Sequence, residues 1–486
     1  MKTTLTLITA LFIGTLSYGQ IFQWGPEITV ADGAAYGNTR PRATIVGSDT
    51  PVVLFGDEGA FDNLFVSRWN GASFDTPLPI LPSGGSTYIA GWTGPDIDSH
   101  GDTVIAVFKL NPVEDGNIYT VRSIDGGMTF SDTIRADSHP NGVAWMPSMG
   151  MDPDGNPVVT YMVHDANWIN PRYVVANSSD GGLTYNPEME VSSAAPGEVC
   201  DCCPAEMVIK DQKQVLLFRN NEGNLRDIYA SLSTDNGSSF SSFANVDNMN
   251  WIVAACPSTG SDGVFYNDTL LTVYASAASG KYRVYISSAS TDGTVAFEER
   301  MMVPEPVPAN GTQNYPRISA AGDTIVMAWT EKINGNQEIY CAASVPGMDP
   351  MTNLTSYKEM ANGTSTGTQT NAEIIYKNGI VHLFYQDDTA GDLIYRRGTL
   401  DMTLGLEENE KNLRLHPNPS ADGNFIVSNN VEILDVKNAV GKSVSYDLVD
   451  TNGQLMVKIN HPSSGIYFLS YLGADFQSKV IKLMVD

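Results

Sequence analysis

Seven stretches of this chain repeat one pattern, and that repetition constrains the fold more than any other feature. Each opens on a short run of alternating character, makes a Gly, Asp or Asn turn, and continues into an apolar run. The openings lie at Pro41, Pro95, Pro147, Pro204, Pro257, Pro316 and Ala372, so successive starts are 54, 52, 57, 53, 59 and 56 residues apart. A third run follows in each copy (NLFVSRW, NIYTVRS, PRYVVANS, DIYASLS, YRVYISS, EIYCAAS, DLIYRR), and a fourth follows a Gly-rich turn, as over Thr129 to Ala136. A unit of this size cannot bury its own apolar face, so the copies must pack against one another. Four strands per unit in this number predict an all-β chain: a β-propeller of seven four-stranded blades, with six as the alternative count. The seventh copy lacks a fourth run after Arg397, while Phe22 to Val30 has the character of one. That segment is predicted to close the ring, which removes the free edges of an open array. The 44 Gly, 26 Pro and 21 Tyr fit short strands and tight turns.

The ends of the chain differ from this middle. Lys2, the apolar run Leu5 to Leu16 and the small residues of Ser17-Tyr18-Gly19 predict a cleaved secretory signal over 1–19. No later segment offers the ~20 consecutive apolar residues of a membrane-spanning helix. The propeller is assigned to 20–400 and a polar linker, with Glu407 to Lys411 at its centre, to 401–412. A second β pattern, predicted to be a small β-sandwich, fills 413–486. Acidic residues number 55 against 28 basic ones, a formal charge of −27. A field of that sign repels phosphate backbones and argues against nucleic-acid partners.

Between the third and fourth runs lies a recurring turn: Ser123-Ile-Asp125-Gly-Gly127-Met-Thr-Phe130, Ser178-Ser-Asp180-Gly-Gly182-Leu-Thr-Tyr185 and Ser233-Thr-Asp235-Asn-Gly237-Ser-Ser-Phe240, with degenerate copies at Ser67 to Phe74 and Ser290 to Phe297. The Asp can bond amides of its own turn, and Gly supplies positive φ. These turns resemble the Asp boxes of the bacterial-neuraminidase-repeat superfamily, whose members include sialidases. The resemblance covers about Phe22 to Leu400 and implies that Asp125, Asp180 and Asp235 are structural and lie away from the ligand face. It also implies an exo-acting hydrolase of acidic sugars, with three Arg on the substrate carboxylate, a Tyr–Glu nucleophile pair and an Asp acid/base. Here the family's aromatic-Arg-Ile-Pro string is permuted to Tyr315-Pro-Arg317-Ile318 and stands late in the chain. Sialidases have six blades. The tail, with Pro417-Asn-Pro419, Asp422-Gly423, Gly465 to Leu469 and Lys479 to Val485 in order, is similar to the C-terminal sorting domain of type IX secretion cargo. That likeness implies delivery by the type IX machinery, with the product secreted or anchored at the outer-membrane cell surface.

In a propeller the opening strands converge at the channel mouth, where ligands bind. The residues flanking each opening Pro form an equivalent ring that includes Arg40/Arg42, Gly94/Asp96, Met146/Ser148, Cys203/Ala205, Cys256/Ser258, Tyr315/Arg317 and Asn371/Glu373. Loops at the mouth bring Tyr88, Trp92, His139, Trp145 and Trp251. Arg42, Asp96, Trp92, Trp145, Tyr315, Arg317 and Glu373 are the candidate ligand-binding residues, since flat rings stack on sugars and Arg grips acids. The plainer reading is that Arg42–Asp96 and Arg317–Glu373 are ion pairs between neighbouring blades. Cys200-Asp-Cys202-Cys203-Pro204 and Cys256-Pro257 put four thiols in one sector. They are read either as two disulfides, for instance a Cys203–Cys256 staple with Cys200–Cys202, or as thiolate ligands of copper or zinc. No cofactor is secure, and the catalytic residues are not legible. Three functions stay open, the first preferred: a propeller that recognises a carbohydrate or other surface ligand, a sialidase-like glycoside hydrolase, and a metal or redox site at the Cys cluster.

Overall fold

The computed structural model describes residues 21–486 except 59–62, 113–116, 140–142, 305, 307–308, 345–350, 352–353, 355–357, 363–366, 402–414, 428–431, 452–453 and 473–477. The signal segment and nearly all of the linker, including Glu407 to Lys411, therefore lie outside the described residues. The chain divides into two compact units, Met1–Met402 and Thr403–Asp486.

Among the described residues the first unit forms seven antiparallel sheets. The inner strands are Thr39–Val46, Asp96–His100, Val143–Met151, Glu206–Lys210, Ser261–Tyr266, Thr312–Ala321 and Gln369–Lys377. Each inner strand contacts the next, and the last returns to the first, so they close a ring. The second strands are buried along most of their length because both their faces meet neighbouring sheets. In the second sheet Val104, Ile105, Ala106, Val107 and Phe108 are all fully buried. The core is accordingly a series of layers between sheets: one cluster joins Val52 and Leu54 to Val104 and Phe108, and the next joins Ile105 and Val107 to Val159 and Tyr161. Four of the fourth strands are only two residues long, at Leu78–Pro79, Ile134–Arg135, Met189–Glu190 and Glu359–Met360. Short outer strands offer little edge for another chain to pair with. The run expected over Thr129 to Ala136 is mostly turn, because the Asp box takes its first residues.

Phe22–Ala31 completes the seventh sheet, antiparallel to Asp392–Leu400, with Phe22 opposite Leu400 and Ile28 opposite Tyr395. Asp401 N–H donates to the Ile21 carbonyl at 2.7 Å, which continues the pairing one residue past the strand.

The second unit stacks two sheets. One comprises Leu415–His416, Asn424–Val427, Gln454–Ile459 and Tyr446–Thr451, the other Glu432–Asn438, Gly465–Leu472 and Ser478–Val485. Phe425, Val436, Val457, Leu469 and Leu483, all fully buried, form the shared core of this small β-sandwich.

Candidate functional site

The turn Asp residues are consumed locally. Asp180 Oδ1 accepts from Ser178 Oγ at 2.9 Å and from the Leu183 and Thr184 amides at 3.0 and 2.9 Å, while Oδ2 accepts from Thr184 Oγ1 at 2.6 Å. Asp125 repeats this set, and Asp235 repeats it save that the Ser238 amide donates to the Asp235 backbone carbonyl. Bonds from the Thr129 and Thr184 hydroxyls, foremost among several, hold the Asp125 and Asp180 carboxyls down at about 2. Nothing is left over to grip a ligand.

The ring at the hub is built from one residue per inner strand. Counting back four places from the last pair of each hairpin gives Arg42, Asp96, Glu206, Asp262, Arg317 and Glu373. Ser148 takes the equivalent place in the third sheet, and its hydroxyl donates to Glu206 Oε1 at 3.2 Å. In four of these strands a bulge falls just before the ring residue. The residue inside the bulge has left-handed backbone without being glycine: Arg40, Met146, Tyr315 and Asn371 have φ of 48°, 51°, 51° and 52°. Bulges re-aim side chains, and strain of this kind gathers at functional sites.

Counting forward from the seven openings, six prolines and Ala372, finds five of the seven ring residues and misses two. The fourth sheet presents Glu206 in place of Cys203 or Ala205, and the fifth presents Asp262 in place of Cys256 or Ser258. Those two copies carry extra residues between the proline and the ring residue, one in the fourth and four in the fifth. The signal that finds them is the hairpin turn, which is constant in register where the proline is not.

Arg317 is the centre of the ring. Its Nη1 lies 2.9 Å from Glu206, and its Nε lies 2.9 Å from Glu373 and 3.3 Å from Asp262. Arg42 reaches Glu373 at 3.3 Å. The expected Arg317–Glu373 pair is therefore present. Among the described residues no Arg42–Asp96 pair exists; Arg42 turns to the seventh sheet instead. Asp96 accepts the Met149 amide at 3.0 Å and Asp262 the Ile318 amide at 2.8 Å, so each ties its sheet to the next. Burial pulls the Arg317 guanidinium down, but Asp262, Glu373, Glu206 and Asp96 together push it well up. Burial pushes Glu206 up to about 8, Arg317 only partly offsetting it, and raises Glu373 as well.

That shift predicts a pH dependence. The folded Glu206 binds its proton more tightly than the unfolded one, so its contribution is complete below the unfolded value near 4.5 and is lost as pH rises through about 8. Glu206→Gln should lessen the loss of stability between pH 5 and pH 8 by about 1–3 kcal/mol. Chemical denaturation at both pH values checks it; parallel pH profiles for the two proteins would refute it.

Above the ring, Arg40 is 6% exposed. Its Nη1 donates to the Pro95 carbonyl at 2.5 Å, its Nε has no hydrogen-bond partner, and among the described residues it has no ion pair. Burial, with Arg42 beside it, lowers its affinity for the proton to about 9, so it remains a cation at neutral pH. The mouth, lined by Arg40, Trp92, Glu206, Tyr315 and Arg317, leaves only ≈ 40 Å³ of free space. That holds a few water molecules and no sugar ring. A roomier cleft, bounded by Asp49, Arg68, Trp69 and Arg397, lies at the hairpin end of the sheets, away from the ring.

The aromatic candidates divide. Trp92 and Tyr315 are half-buried at the rim. Trp145, 8% exposed, packs edge-on against Trp92 and Trp168 at 6.1 and 5.4 Å, so it backs the rim rather than lining it. Trp251 is a correction: it is buried under Arg219 at 5.2 Å and against Tyr282 at 5.5 Å. His139 is held by Glu188 at 3.1 Å and by the His164 carbonyl at 3.0 Å.

The cysteine pairing also differs from the expected example. The staple between the fourth and fifth sheets is Cys202–Cys256, with Cα atoms 6.1 Å apart, while Cys200, Cys203 and Cys341 are free. Cys203 points inward because its own turn, closed by Cys203 N–H on the Cys200 carbonyl, leaves Cys202 facing the fifth sheet. The ligand atoms of Cys200, Cys202 and Cys203 lie within 4.8 Å of one another, but the bridge removes Cys202 from any thiolate set.

Among solved structures, the chain is similar to an α-L-arabinofuranosidase of Fusarium graminearum in complex with an iminosugar inhibitor, at 13% identity over 67% of this chain and 98% of that one, TM-score 0.45. The NanB sialidase of Streptococcus pneumoniae matches at 10% identity over 64% and 67%, TM-score 0.42. A protein of unknown function from Dyadobacter fermentans matches at 13% over 66% and 98%, TM-score 0.43. No curated protein matches the chain. Residues 96–327, from the inner strand of the second sheet into the sixth, match the model of the BNR repeat-like domain.

Proposed function

We propose that this is an exported propeller that binds the acidic group of a carbohydrate at the rim of its hub, without turning it over. Its C-terminal sandwich serves as the address read by type IX secretion. The observation that carries the reading is Arg40, a buried cation at the mouth with an unpartnered Nε and no carboxylate of its own. A guanidinium so placed is matched by a ligand carboxylate, and Trp92 and Tyr315 flank it with faces suited to sugar rings. The hub is too tight to admit a ring, so the sugar lies across the rim with its acid directed inward.

The reading of a glycoside hydrolase has one observation in its favour: Glu206 holds its proton at neutral pH, as a general acid must. A partner base is harder to find, because Asp262 is held by Arg317 and two backbone amides, and Glu373 by Arg317 and Arg42. Calorimetric titration with sialic and uronic acids against their neutral counterparts tests the preferred reading. Binding of the acidic sugars alone is expected, weakened at least about tenfold by Arg40→Met, a loss of about 1.4 kcal/mol or more. Release of any sugar at an enzymatic rate, abolished by Glu206→Gln, would establish the hydrolase instead.

A further inference from the structure

Cys200 and Cys203 are the ends of a C-x-x-C turn, both fully buried, with their sulfurs 2.8 Å apart. Their neighbour Cys202 belongs to the bridge with Cys256, and Cys200 Sγ lies 3.6 Å from Cys202 Sγ. A free dithiol and a disulfide are thus in sulfur-to-sulfur contact, and the far end of that disulfide, Cys256, is exposed.

The surroundings favour a thiolate at Cys200. Arg226 Nη1 donates to Cys200 Sγ at 3.0 Å, and its Nε donates to the Val253 carbonyl. Arg219, fully buried against the face of Trp251, gives its bonds to the carbonyls of Thr259, Arg226 and Ala275. Among the described residues neither guanidinium has a carboxylate ion-pair partner. Two buried cations stand beside one ionisable sulfur. The Cys203 S–H bond to Cys200, together with Arg219 and Arg226, outweighs burial and brings Cys200 down to about 7, whereas burial pushes Cys203 up. A low-affinity nucleophile with a protonated resolving partner is the division of labour that thiol–disulfide exchange requires.

We propose that the four cysteines form a dithiol–disulfide exchange site, in which Cys200 and Cys203 pass two electrons to the exposed Cys202–Cys256 bridge. Cys200 thiolate attacks Cys202 Sγ; the Cys202–Cys256 bond breaks, and Cys256 leaves as a thiolate that takes a proton from solvent. Cys203 then gives up its proton and attacks Cys200 Sγ, forming Cys200–Cys203 and releasing Cys202 as a thiol. One disulfide is lost and one gained, so no outside oxidant or reductant is consumed. The exchange unfastens the fourth sheet from the fifth beside Thr259, Gly260 and Ser261, which line the mouth. It therefore loosens the rim without removing any ring residue.

The full chain, purified without reductant, is treated in the native state with a maleimide and mapped by mass spectrometry of proteolytic fragments. The site predicts label on Cys256 and Cys202, with a Cys200–Cys203 disulfide accumulating alongside. Cys200→Ser should slow that labelling at least about tenfold, and Cys203→Ser should trap a Cys200–Cys202 bond. Cys341, buried in the sixth sheet, serves as the unreactive internal control. Circular dichroism of each variant separates a lost nucleophile from a lost fold. An unlabelled protein, label at Cys256 that persists in Cys200→Ser, both bridges present at once, or a metal retained on the thiols would each overturn the proposal.

Discussion

A protein lacking residues 21–31 will not behave as a closed ring: it is expected to elute as oligomers or aggregate and to lose a single cooperative unfolding step. The segment supplies the outer strand of the seventh sheet, so its removal bares the Asp392–Leu400 strand along its whole length. A long unpaired edge is a template for another chain. The clasp is also anchored by burial. Ile21 and Phe22 are 1% and 0% exposed, and Phe22 stacks on Trp24 at 5.1 Å. Arg396 covers Trp24 at 5.3 Å and donates to the Gly25 carbonyl. Phe22→Ala alone should therefore cost about 3–5 kcal/mol, the range for a large ring removed from a packed site. Deleting the strand must cost more, because seven backbone pairings go with it. Size-exclusion chromatography and denaturant unfolding check both variants. A monomeric deletion variant with an unchanged midpoint would mean that the remaining strands hold the ring by themselves.

How much of this could be read from the residues follows from what repeats. The apolar second strands and the Asp-box turns recur in sequence because each sheet meets the same two neighbours. That recurrence carried the all-β propeller and its clasp from Phe22, while the closing sandwich was read from the separate pattern of the tail. The ring was legible where a proline stands directly before the ring residue, as at Arg42, Asp96, Ser148 and Arg317. It failed in the fourth and fifth copies, where insertion shifts the proline away from Glu206 and Asp262. Side-chain choice across the hub was less legible still. Arg42 faces Glu373 rather than Asp96 because Asp96 is already committed to a backbone amide in the third sheet. Trp251 and the Cys pairing were misplaced for a related reason. Spacing along the chain says nothing about which side of a turn faces the neighbouring sheet, and that side decides that Cys202, not Cys203, meets Cys256.

The ring also makes the hub a place where one cation matters more than its neighbours. Arg317→Ala should destabilise the first unit by about 3–5 kcal/mol near pH 8, the cost of stranding buried charges once their partner is removed. Three carboxylates lose their counter-ion together, Glu206 and Glu373 at 2.9 Å and Asp262 at 3.3 Å. Arg42→Ala should cost less, since among the described residues Arg42 makes one ion pair, at 3.3 Å, and Glu373 keeps Arg317. Arg317→Lys should recover only part of the loss, because an ammonium cannot span three acceptors as the planar fork does. Lowering the pH supplies the diagnostic. Without Arg317 the Glu206 and Glu373 carboxyls, already raised by burial, hold their protons more tightly still in the folded state, so stability returns as pH falls and disappears as it rises. The gap between Arg317→Ala and the parent protein, measured by denaturant unfolding at pH 5 and pH 8, should therefore narrow toward acid. A gap that is equal at both pH values would mean that the lost stability came from packing. A loss below about 1 kcal/mol would place the ring carboxylates in contact with bulk water, as ordinary surface pairs are.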